Sequence, residues 1–237
     1  MPEVSLLIEL LPLALLAGIF GLDVVSFPQA MISRPIVAAT VSGAFFGAPV
    51  AGLVCGAALE CLALESLPVG ASRYPEWGSA SVVAGAIAAR GAAGQNANIA
   101  GAFAIAVAIG IAAAWLGGWT MVRHRQFIAT FARPRLGQLA AGNRNTVVGL
   151  QVFGMTADFV RGAIVGLLVY VPARLLVDVS MARWRTPDEI TRAVVVTCVA
   201  AVAATAVWKD FHAISHTRRL FLASLAVGTL LVVLRRG

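Results

Sequence analysis

The chain has 237 residues, of which 59% are apolar and only 12% charged; with its 23 glycines counted the apolar share is roughly 69%, against about 45–50% in soluble domains. That surplus and a mean hydropathy of +0.87 mark an integral membrane protein, and they exclude a disordered chain, a coiled coil, a collagen and a disulfide-stapled secreted scaffold. The 18 basic residues outnumber the 11 acidic ones for a net charge of +7, and the arginines sit between apolar runs, which is how loops are held on the cytoplasmic side of a membrane and not the footprint of a nucleic-acid binder.

A spanning helix needs about 20 mostly apolar residues. Residues 4–25 supply the first; the segment opens beside Glu3, carries Glu9 and Pro12 and lacks a basic leader, so it reads as a membrane segment and not as a cleaved signal peptide. Residues 35–67 are too long for one helix and too short for two, are punctuated by Gly43, Gly47, Pro49, Gly52 and Gly56, and end in Glu60, Glu65 and Pro68. Residues 78–89 are too short to cross. Together these two stretches predict one crossing helix followed by broken or re-entrant pieces. Residues 91–122, 146–177, 190–208 and 220–234 complete an all-α, polytopic chain of about six to eight membrane segments, by span-length arithmetic.

Irregular backbone survives at membrane depth only where protein buries it or where it lines a polar cavity, and transporters use broken helices in this way to meet a solute. The region from Pro49 to Ser79 is therefore where a site is expected. Gly43/Gly47, Gly52/Gly56 and Gly162/Gly166 are GxxxG pairs that suit close helix packing. Residues 123–144 carry five arginines and His124, with Phe127, Ile128, Phe131, Leu136 and Leu139 interleaved, the pattern of an amphipathic segment at the cytoplasmic membrane surface. It divides the chain into an N-terminal membrane half (residues 1–122), a connector (123–145) and a C-terminal half (146–237). The halves are expected to be pseudo-symmetric, although no repeated motif marks them.

Ionisable residues at membrane depth are costly, so each is a functional candidate. Asp23 follows the first segment; Glu60 stands after a long uncharged run with only the like charge Glu65 nearby; Arg73 and Glu76 follow. Asp158 with Arg161, and Arg174 with Asp178, have the i,i+3 and i,i+4 spacing of self-neutralising ion pairs. Cys55, Cys61 and Cys198 lie in apolar runs and read as buried small hydrophobes. His212 and His216 are one helical turn apart but lack a third ligand, so they read as part of a basic interfacial cluster; no metal site and no cofactor are expected. The five tryptophans near segment ends read as interfacial anchors, with Trp77 alone close to the expected site. No phosphate loop, HExxH or nucleophile–base pair is present, so the chain is not expected to be an enzyme.

The pieces GLD (21–23), QAMISRPIVA (29–38), SGAFFGAPVAGLVCGAALE (42–60), LPVGASRYPE (67–76) and, more loosely, GMTADFVRGAIVG (154–166) resemble the membrane component IIC of the mannose/sorbose-type sugar phosphotransferase system. The resemblance implies an elevator-type permease subunit in a bacterial cytoplasmic membrane. It would pair with a IID subunit, form a trimer of such pairs, and pass sugar to cytoplasmic IIA and IIB phosphocarriers, which perform the phosphoryl transfer. It implies substrate-binding roles for Asp23, Gln29, Glu60 and Glu76, supported by Arg34, Pro68, Gly70, Ser72 and Arg73. The chain departs from the family pattern at Ala48, Glu65 and Glu76 and in a short second half where Lys209, Asp210 and His212 stand, which leaves the sugar open. A non-transporting membrane scaffold or regulatory subunit that retains the fold is the alternative.

Overall fold

The computed structural model describes residues 2–24, 26–64, 74–93, 99–211 and 217–236. Among them the chain is helical throughout. Helix α1 (Pro2–Asp23) is followed by a loop at residues 26–34, α2 (Pro35–Phe45) and α3 (Pro49–Ala63), then α4 (Trp77–Ala93) and the long α5 (Ile99–Ala132). A 3₁₀ turn (Arg133–Arg135) and the short α6 (Leu136–Ala140) connect to α7 (Arg144–Arg183), α8 (Asp188–Phe211) and α9 (Thr217–Arg236).

The stretch expected to hold one crossing helix is instead a tight helical hairpin. Helices of 11 and 15 residues rise about 16 and 22 Å, both short of the ~30 Å hydrocarbon core. The reason is local. Pro35 and Pro49 each occupy a first helical turn, where a missing N–H costs nothing. Between them Gly47 adopts φ +83°, the left-handed conformation glycine takes most easily. The Ala48 N–H donates to Gly43 O (2.8 Å) and the Gly47 N–H to Ala44 O (3.1 Å), which closes α2 and reverses the chain. Gly47 is thus a turn residue, with open space where a Cβ would stand, while its GxxxG partner Gly43 meets the Gly52 backbone across the hairpin.

Helix α4 is also longer than expected, at 17 residues, and is the central element of the core. Every residue from Gly78 to Ala89 is buried. Its small side chains on all faces explain this: a helix apolar all round is one that is surrounded. It packs against α1, α2, α3, α5 and α7. At Gly85 an added Cβ would lie 2.3 Å from Ala39 O of α2, and at Gly52 of α3 the same distance from that same oxygen. Gly162 and Gly166 likewise lie against Ala17 of α1. Three helices are long and apolar enough to cross a membrane among the described residues, running within 99–140, 144–183 and 188–208. The arginine-rich connector is not a separate surface helix at its start, because α5 continues without interruption to Ala132. Of the cysteines only Cys55 is buried; Cys61 is half-buried and Cys198 exposed.

These close approaches predict that Gly52→Ala lowers stability by about 1–3 kcal/mol, because backbone has to move to admit a methyl group. Gly228→Ala, where nothing stands within 4 Å, leaves stability unchanged or slightly raised. Thermal unfolding in detergent distinguishes the two.

Candidate functional site

Three of the acidic residues singled out in the sequence, Asp23, Glu60 and Glu76, are each met by at least one backbone N–H group. Asp23, the last residue of α1, is 2% exposed. Its Oδ1 accepts from the Ala30 N–H (2.7 Å) and its Oδ2 from the Ser33 N–H (2.9 Å). One carboxylate therefore shapes the loop at residues 26–33, within which Gln29 and Met31 adopt φ +57° and +61°. Such backbone is uncommon outside glycine and persists only where the surroundings enforce it. Gln29 is exposed on that loop.

Glu60 projects from the last turns of α3 to the start of α2. Its Oε2 accepts from the Ile36 N–H (3.2 Å), one of the orphan donors of the first helical turn, and its carboxylate forms an ion pair with Arg34. Arg34 thus fixes the base of the hairpin. The pair is partly open to solvent, with side chains 36% and 19% exposed, so its contribution to stability is small.

Glu76 is fully buried immediately before α4. It caps that helix: Oε1 accepts from the Ser79 N–H (3.0 Å), and the Ser79 hydroxyl donates to Oε2. Its own N–H donates to Ala114 O of α5 (2.8 Å). Gly117 of α5 makes room for it, since a Cβ there would meet Glu76 Oε2 at 2.9 Å.

Arg161 completes this layer and was legible in the sequence only as half of a local pair. Its Nε donates to Asp158 Oδ1 (2.8 Å), as the i,i+3 spacing predicts. Its Nη1 also reaches Thr120 Oγ1 of α5 (3.4 Å) and lies 3.9 Å from Glu76 Oε2. Asp158 Oδ2 accepts from the Ser26 hydroxyl (2.8 Å), which ties α7 to the loop after α1. Arg161 Nη2 is buried and finds no acceptor among the described residues.

The expected Arg174–Asp178 pair is not formed. Asp178 instead receives both Nε and Nη2 of Arg90 of α4 (2.9 and 2.8 Å), while Arg174 Nη1 lies 3.2 Å from Glu9 Oε2 of α1. Arg90 Nη1 and the Tyr170 hydroxyl also donate to Glu9. The i,i+4 spacing misled here, because a bidentate guanidinium fork from another helix is the stronger partner.

A small cleft lies between the loop after α1, the end of α3 and the start of α4. Ser33, Arg34, Ala63, Tyr74 and Trp77 line it, and its volume is about 60 Å³. That is room for about two waters, well below the ~300 Å³ of an ordinary ligand pocket. A larger cavity of about 410 Å³ beside the hairpin turn is lined by Ala48, Pro49, Val54, Ala88 and Phe103 and offers no polar side chain. Sugar hydroxyls need both donors and acceptors; the small cleft carries such groups in Ser33, Arg34 and Tyr74 and the apolar cavity carries none, but the cleft would have to widen to admit a sugar. Among the described residues no three His, Cys, Asp or Glu side chains gather as a metal site. Pro68, Gly70, Ser72 and Arg73, with Glu65, His212 and His216, lie outside the described residues.

The buried layer carries a direct prediction. Arg161→Met leaves Glu76 and Asp158 buried without their cation and lowers stability by about 3–5 kcal/mol, seen as loss of monodisperse protein on size exclusion.

A search of curated proteins gives no match. A solved structure described as "Structure of membrane protein" superposes with a TM-score of 0.67 at 19% identity, covering 96% of this chain and 94% of the other. The mannose transporter ManYZ, solved in complex with microcin E492, superposes with a TM-score of 0.58 at 18% identity and the same coverage. At these identities the likeness is one of fold. The family model of the sorbose-specific IIC component of the phosphotransferase system matches residues 7–197, and the chain belongs to that family.

Proposed function

We propose that this chain is the sugar-translocating IIC subunit of a mannose/sorbose-type phosphotransferase system, multi-pass in a bacterial cytoplasmic membrane. The observation that carries the reading is a cleft at the base of a helical hairpin too short to cross, lined by Ser33, Arg34 and Tyr74, with Arg34 ion-paired to Glu60. Glu60 accepts the Ile36 N–H and pairs with Arg34, yet a carboxylate has about four lone-pair sites, so it keeps acceptor capacity for sugar hydroxyls; the buried Asp23 and Glu76 join the site only as the cleft widens. Gln29 on the adjoining loop supplies an amide donor and acceptor. Arg34 positions Glu60, and Arg73 with Pro68, Gly70 and Ser72 belongs to the same site by the family pattern.

In this reading the site stands near the bilayer midplane and an elevator displacement carries the sugar across. The chain supplies binding and movement, and phosphoryl transfer takes place on IIA and IIB phosphocarriers. A IID subunit is the membrane partner, in keeping with the paired components of the ManYZ structure, and a trimer of IIC–IID pairs is the assembly. Residues 1–122 form the substrate-holding half, 123–145 the connector and 146–237 the second half. The small volume of the cleft favours one other reading, a scaffold or regulatory subunit that retains the fold without transport.

Uptake of a panel of radiolabelled hexoses by the reconstituted IIC–IID pair with its phosphocarriers decides between them. Glu60→Ala abolishes uptake while the pair still assembles, because the Arg34–Glu60 link is partly solvated and the fold tolerates its loss. Glu60→Gln, which keeps an oxygen for the Ile36 N–H, retains assembly and weakens binding. Unchanged uptake in Glu60→Ala sinks the site assignment, and a wild-type pair that assembles without moving any hexose supports the scaffold.

A further inference from the structure

No acidic residue stands between Glu76 and Asp158, and the five arginines between Arg123 and Arg144 fall inside that gap. The fold gathers this basic strip at one end of the molecule, where the last turns of α5, the 3₁₀ turn, α6 and the first turns of α7 form an exposed helical arm. Phe131 joins the two long helices by stacking with Phe127 of α5 and Phe153 of α7, at centroid distances of 4.9 and 4.8 Å.

An open cavity of about 550 Å³ lies in this arm. Arg135, Asn143 and Asn145 line it with polar groups, and Phe131, Leu150 and Phe153 with apolar surface. Arg135 Nη1 donates to Phe131 O (2.7 Å), which anchors the guanidinium there. Among the described residues no carboxylate pairs with Arg133, Arg135 or Arg144. The cavity therefore offers a cation and amide donors together with aromatic and aliphatic surface. That combination fits an amphiphile with an anionic head.

Its height fits the same ligand. The apolar run of α5 ends at Val122, and Phe131 lies nine residues, about 14 Å, beyond it; Leu150 stands in the first turns of α7, eleven residues or about 16 Å from Arg161 near the middle of that helix's apolar run. With these runs spanning the membrane, as the transport reading above requires, the cavity is level with the lipid headgroups. Its arginines place it on the cytoplasmic side.

We propose that this cavity is a headgroup site for an anionic phospholipid of the cytoplasmic leaflet. The phosphodiester meets Arg135 and the two asparagine amides, and the start of an acyl chain lies on Phe131, Leu150 and Phe153. Arginine is the side chain best matched to phosphate geometry, and juxtamembrane basic groups add attraction to anionic lipid.

Native mass spectrometry of the full chain in detergent, with dioleoyl phosphatidylglycerol or dioleoyl phosphatidylcholine added, tests the site. Wild type retains the glycerol lipid in preference to the choline lipid. Arg135→Gln reduces that retention by about fivefold, and Arg183→Gln, at the other end of α7, leaves it unchanged. Gly149→Leu keeps every charge but places a side chain where nothing now stands within 4 Å, and it also removes the preference by filling the cavity. Gly-to-Leu on a helix surface favours folding, so its effect does not report unfolding. Loss with Arg135→Gln but not with Gly149→Leu means diffuse surface attraction and overturns the pocket. Equal retention in all variants overturns it too, as does binding of inorganic phosphate without lipid. Sugar uptake is scored separately, so failure of the lipid site leaves the transport reading standing.

Discussion

A carboxylate removed from water has to be met by donors or by a cation, and this fold is arranged around that requirement. Asp23 is answered by the Ala30 and Ser33 N–H groups, Glu60 by the Ile36 N–H and Arg34, and Glu76 by Ser79 and, at longer range, Arg161. Each of these contacts also settles where a helix ends or begins. Asp23 closes α1 and shapes the loop that leads to α2; Glu60 satisfies the start of α2; Glu76 caps α4. The same groups that would bind a solute therefore define the broken backbone around it. Buried charge is expensive when unanswered, so the loop, the hairpin and the central helix depend on one another.

A second ionic group, Glu9 with Arg90, Arg174, Asp178 and Tyr170, braces the other end of α1, α4 and α7. The fourteen residues from Glu9 to Asp23 separate the two layers by about 21 Å along α1. Small residues fill the interval: Ala17 against Gly162 and Gly166, and Gly85 against Ala39. Three helices from both halves of the chain are thus tied at two levels and pressed together between them. The hairpin of α2 and α3 joins this block through glycine surfaces and through the Arg34–Glu60 link, which is partly solvated.

The sequence made the class, the broken stretch and the acidic candidates legible because each has a local signature. Proline at the head of α2 and of α3, with glycine between them, marks two helix starts and a reversal, and Glu60 stands out as a charge in an apolar run. It misjudged lengths where tertiary burial decided them. Residues 78–89 looked too short to cross and read as part of the broken pieces, yet α4 is the centre of the core because its small side chains admit neighbours on all sides. Partners far apart in the chain left no local trace: Arg34 for Glu60, Arg90 for Asp178, and Ser26 for Asp158. In the sequence Glu9 counted only against a cleaved signal peptide, and the fold shows that it receives Tyr170, Arg90 and Arg174.

The central claim is that the polar region at the base of the hairpin holds the transported sugar. A cryo-electron microscopy map of the chain with its IID partner, prepared with the hexose it takes up, tests this most directly. The account predicts sugar density against Ser33, Arg34, Tyr74 and Trp77, within hydrogen-bonding reach of Glu60, in a cleft widened from its present 60 Å³. Sugar density in the apolar cavity beside Ala48 and Phe103, or away from the hairpin altogether, would contradict it.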